Sequence, residues 1–76
     1  MLPAQCRAAR GLLNWTQEDL AAKSGVSAVT IRNFENEKST PQRATLIVLQ
    51  QTFETAGIEL IPPNGGGPGL RLRNPL

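Results

Sequence analysis

Few side chains in this 76-residue chain are equipped for catalysis. Histidine is absent, Cys6 is the single cysteine, and the carboxylates are Glu18, Asp19, Glu35, Glu37, Glu54 and Glu59. These show no nucleophile–base pairing and no metal-ligand spacing. Glu18 and Asp19 suit the first turn of a helix, where negative charge favours the dipole. The glycines at 65–67 lack the lysine and Ser/Thr that complete a phosphate loop, and no apolar helix follows them. No enzyme, cofactor or metal is expected. What remains is recognition chemistry. Ala28, Val29, Arg32 and Asn33 fall outside the apolar positions Ile31 and Phe34 of one short helical stretch. In a DNA major groove Ala28 and Val29 can meet thymine methyl groups. Arg32 can take guanine O6 and N7, and Asn33 can pair with adenine N6 and N7. The competing reading is a solvated helix face with Arg32 paired to Glu35 one turn on. Residue types alone favour the solvated face.

Two helices with a tight corner must position these residues. Thr16 can cap the first, with Asp19 completing a capping box, and Trp15 and Leu20 have the spacing of a hydrophobic staple. Ser27 can cap the second, with Val26 and Ile31 as its staple. Gly25 sits where the first helix must stop. Leu20, Ala21, Val26, Ile31 and Phe34 can meet inside the corner. This is the helix-turn-helix pattern, whose second helix enters a major groove. Ahead of it, Pro3 opens a helix running to about Leu13, with Leu2, Cys6, Ala9 and Leu13 on one face and Asn14 as its stop. Residues 36–39 read as a loop. Thr40 as cap and Pro41 at the first helical position open a fourth helix, which runs to Ala56 and stops at Gly57. Its inward stripe is Leu46, Leu49, Phe53 and Ala56, which leaves Ile47 and Val48 outside. Arg43, in its first turn, opposes the helix dipole at a cost of about 0.3–1 kcal/mol. A nearby phosphate would account for that.

The run Thr16-Gln17-x-x-Leu20-Ala21-x-x-x-Gly25-Val26-Ser27-x-x-Thr30-Ile31-x-x-x-Glu35 resembles the Cro/repressor-like helix-turn-helix family, often called the Xre family. Asn36 and Lys38 continue the resemblance, which covers about Pro3 to Ala56. It implies a mainly α, lambda-repressor-like domain of about four helices that binds double-stranded DNA as a homodimer and regulates transcription, with repression expected. The Thr16–Ser24 helix would lie across the DNA backbone, and the Ser27–Asn36 helix would read bases. The resemblance thus turns Ala28, Val29, Arg32 and Asn33 into base-reading residues. It places Gln17 on the DNA backbone, where Ser27, Thr30, Asn36, Lys38 and Arg43 are also expected, and assigns Arg10 with Glu35 to a structural ion pair. An antitoxin that binds both operator and toxin, or a protein-binding adaptor, would use the same fold.

After Gly57 the character changes. Residues 58–61 and 70–73 alternate like strands around the turn-forming run 62–69, so a C-terminal β-hairpin is expected. The division is a DNA-binding domain over 1–57 and a dimerising tail over 58–76, with Ile47, Val48, Ile58, Leu60, Leu70 and Leu72 at the dimer interface. Trp15 and Cys6 read as core residues. Net charge is +2 and pI about 9.3, compatible with nucleic acid. A single cysteine suits a reducing compartment. No apolar run reaches membrane-spanning length, and no signal-peptide pattern opens the chain. A cytoplasmic protein is expected.

Overall fold

A computed structural model describes residues 1–63 and 65–74. Asn64, within the expected turn, and Pro75 and Leu76, at the end of the expected tail, lie outside the described residues. Four helices precede a two-stranded antiparallel hairpin: α1 (Pro3–Leu13), α2 (Gln17–Ser24), α3 (Ala28–Glu35), α4 (Arg43–Thr55), β1 (Ile58–Ile61) and β2 (Gly69–Leu72). The mainly α fold with a terminal hairpin is the one anticipated.

Local chemistry sets the helix-turn-helix. The Thr16 hydroxyl accepts from the Asp19 amide at 3.0 Å, while the Asp19 carboxylate accepts from the Thr16 amide at 2.9 Å. That reciprocal box satisfies two amides at the start of α2. Those bonds, the one from the Thr16 amide first, hold the Asp19 carboxyl below its ordinary value. Gly25 ends α2 with a φ of +79°, a left-handed stop that an L side chain would strain. Ser27 then caps α3, accepting from the Thr30 amide at 3.1 Å.

The core takes residues from every helix and from the hairpin: Cys6, Ala9, Leu20, Ile31, Phe34, Leu49, Phe53 and Ile58 are buried together. Trp15 stacks on Phe53 with ring centroids 6.0 Å apart and has the Lys23 ammonium 5.1 Å from its own centroid. The hairpin registers Ile58 with Leu72 and Leu60 with Leu70. All four side chains lie on one face of the ladder, and that face packs on the protein's own core. On the opposite face Arg71 and Glu59 form a cross-strand ion pair at 3.1 Å.

Four expectations are corrected. α4 starts at Arg43, not at Pro41, and its N-cap is Gln42, whose carbonyl accepts from the Thr45 and Leu46 amides. The fixed φ of proline suits an extended segment as well as a first helical turn, so Pro41 does not choose between them. Leu2 does not join the apolar face of α1. It is the extended residue before Pro3, where helical phase has no meaning, and is 48% exposed. The Ile58 side chain is not available to a dimer interface, because it is wholly buried within the single chain. The second strand also runs from Gly69 to Leu72, one residue earlier than anticipated.

Candidate nucleic-acid interface

α3 divides cleanly into two faces. Ile31, Phe34 and Glu35 point inward and are buried, whereas Val29 and Arg32 are exposed and Ala28, Thr30 and Asn33 are half-buried. Val29 is 53% exposed although it is apolar. Arg32 forms no ion pair among the described residues. The pairing with Glu35 that would have explained it is absent, because Glu35 is only 2% exposed and faces α1. The four candidate base-reading residues therefore share one short helix, and the arginine among them has its guanidinium uncommitted.

The rear of α3 is held by a polar cluster at its C-terminal end. Arg10 meets Glu35 through two parallel bonds, Nε to Oε2 at 2.7 Å and Nη2 to Oε1 at 2.6 Å. Such a fork fixes both planes, so it orients the helix as well as attracting it. The remaining guanidinium nitrogen of Arg10 donates to the Trp15 carbonyl at 3.0 Å, which ties the α1–α2 connection into the cluster. Gln17 Nε2 donates to Oε1 at 3.1 Å, and the Cys6 thiol donates to Oε2 at 3.2 Å. Burial alone would raise the Glu35 carboxyl, but donation from Arg10, Gln17 and Cys6 outweighs it and holds the group below its ordinary value. The same contact raises Arg10. Burial pushes the Cys6 thiol far up, so it remains a neutral donor.

Around α3 stand the candidate backbone contacts. Ser27, Asn36, Lys38 and Arg43 are exposed, and neither Lys38 nor Arg43 forms an ion pair among the described residues. The Ser27 hydroxyl accepts from the Thr30 amide and donates its hydrogen to Thr30 Oγ1 at 2.9 Å. Thr30 keeps its own hydroxyl hydrogen for an outside acceptor, while Ser27 does not. Gln17 is half-buried, with one amide hydrogen given to Glu35 and a second left over. Arg43 occupies the first position of α4, an exposed cation at the positive end of a helix.

Three positions contribute beyond those read from the sequence. The Arg7 guanidinium donates to the Glu35 carbonyl at the end of α3, placing positive charge where the dipole is negative. Its spacing of three from Arg10, on one helix face, was the available signal. Cys6 is a core residue, as its apolar face suggested, but it also supports Glu35. Gln5, 8% exposed, donates to the Gly69 carbonyl at 3.0 Å and contacts that of Ile61 at 3.4 Å, so it ties α1 to the hairpin. No sequence spacing announces a contact across so many residues.

A helix-turn-helix family model matches residues 7–60, most of the chain, including all of α2, α3 and α4. No curated protein matches the sequence.

Proposed function

The chain belongs to the Xre/Cro-like helix-turn-helix family of DNA-binding transcription regulators, and from that membership we propose that it is a repressor that grips double-stranded operator DNA as a homodimer. α3 is the reading helix in this account. Ala28 and Val29 meet thymine methyl groups, Arg32 takes a guanine edge and Asn33 an adenine edge. Gln17, Thr30, Asn36, Lys38 and Arg43 hold phosphates and set the register, and Ser27 acts there through its cap. One observation carries the reading: α3 turns outward an apolar side chain and an arginine with no ion pair among the described residues, while its rear is fixed by the Glu35 cluster.

The dimer rests on two features of the surface. Ile47 and Val48 are 44% and 38% exposed on α4, an apolar pair that a second copy can cover. The hairpin also offers its backbone. The Arg73 amide donates to the Gly57 carbonyl, which fixes the ladder so that Ile58, Leu60, Leu70 and Leu72 direct their backbone polar groups outward. A partner would therefore meet a strand edge, with the leucine side chains of this face already seated on their own core. In two-fold symmetry the two α3 helices would stand roughly 34–36 Å apart, one turn of DNA. Such a protein works where its DNA is, in the cytoplasm.

Selection of bound duplexes from a random pool tests this reading. The expected product is an inverted repeat with half-sites one helical turn apart. A pool that shows no enrichment after repeated rounds overturns it.

A further inference from the structure

Glu37 has a φ of +60°, in the left-handed region. Asn14 is the other described non-glycine residue there, and asparagine adopts that conformation at lower cost than glutamate. The helix stop imposes it. Beyond α3 the Glu37 amide donates to the Phe34 carbonyl at 3.0 Å and the Lys38 amide to that of Asn33 at 2.8 Å. This double closure usually places glycine where Glu37 stands. Glu37 is exposed, and although it shares a shallow groove with Met1, Ser39 and Thr40, it forms no ion pair and no side-chain hydrogen bond among the described residues. Its two neighbours, Asn36 and Lys38, belong to the proposed phosphate-gripping set. Strain and negative charge thus coincide at the one loop position where glycine would remove both. Strained residues that add no stability mark functional positions.

We propose that Glu37 is an electrostatic brake on DNA binding. Its carboxylate repels the phosphates that Asn36 and Lys38 hold, lowers affinity for every sequence alike, and shortens residence on DNA that is not operator. The selection of sequence stays with α3. This inference rests on the DNA-binding reading above. The test uses the full chain and two variants, Glu37→Gln to remove charge alone and Glu37→Gly to remove charge and strain. Each is titrated against a selected operator duplex and a scrambled one. At about 50 mM salt Glu37→Gln should bind both duplexes roughly three- to ten-fold tighter, with the gain shrinking at high salt and melting unchanged. Glu37→Gly should show the same gain and melt roughly 4–8 °C higher. If the wild type binds and Glu37→Gln leaves affinity unchanged, weakens it or lowers the melting temperature, the brake is refuted while the DNA-binding reading stands. A wild type that retains neither duplex removes that reading and the brake with it.

Discussion

Glu35 shows how a single buried charge can be kept and used. A carboxylate at 2% exposure is costly unless its oxygens are occupied, and here Arg10, Gln17 and Cys6 all donate to them. Removing Arg10 alone, as Arg10→Met, leaves the charge under-compensated and should cost roughly 3–5 kcal/mol. The pair of changes Arg10→Met and Glu35→Leu should recover part of that loss, and strictly additive melting shifts would exclude the coupling. The pH dependence has a definite sign. Because the folded Glu35 carboxyl lies below its ordinary value, the unfolded chain takes up its proton first as pH falls. Its contribution is complete above the ordinary carboxylate range and is lost as pH drops through the folded value. Glu35→Gln should therefore flatten part of the acid limb of the stability profile. An unchanged acid limb would contradict the assignment.

Elements were legible where capping chemistry is local. Thr16, Asp19, Gly25 and Ser27 announce the ends of α2 and α3 by residue type alone, and the structure closes the expected bonds at each. The start of α4 was not legible, because Thr40 and Pro41 suit an extended approach as well as a helix and only packing from Leu46 onward decides. The hairpin was visible in the alternation of residues 58–61 and 70–73, but which way its apolar face points was not. That depends on Gln5 and on the space beside α1 and α4, which no period reports. The same limit applies to the interface. The separation of Arg32 from Ile31 and Phe34 follows from helical spacing, whereas the freedom of its guanidinium depends on where Glu35 is drawn from another helix.

At the scale of the molecule, the tail serves the chain's own interior before it can serve the proposed dimer. Ile58 completes the core and Leu60, Leu70 and Leu72 cover it, so a chain ended after Gly57 loses part of its own interior. Truncation would confuse folding with assembly, and a surface change separates them. Ile47→Glu with Val48→Lys should leave helix content and melting near wild type, since exposed changes usually shift stability by about 0.5 kcal/mol or less. The same protein should sediment as a monomer and bind its operator much more weakly. A variant that stays dimeric would place the interface elsewhere.

In the proposed complex α3 reads bases while the groups around it grip phosphate, and Arg32 separates the two roles. The measurement is the affinity of wild type and Arg32→Ala for the selected operator and for a scrambled duplex at one salt concentration. Arg32→Ala should lose roughly 1–3 kcal/mol on the operator and far less on the scrambled DNA, so that discrimination falls by about five- to over a hundred-fold. Equal losses on the two duplexes would contradict it and make Arg32 one more phosphate contact.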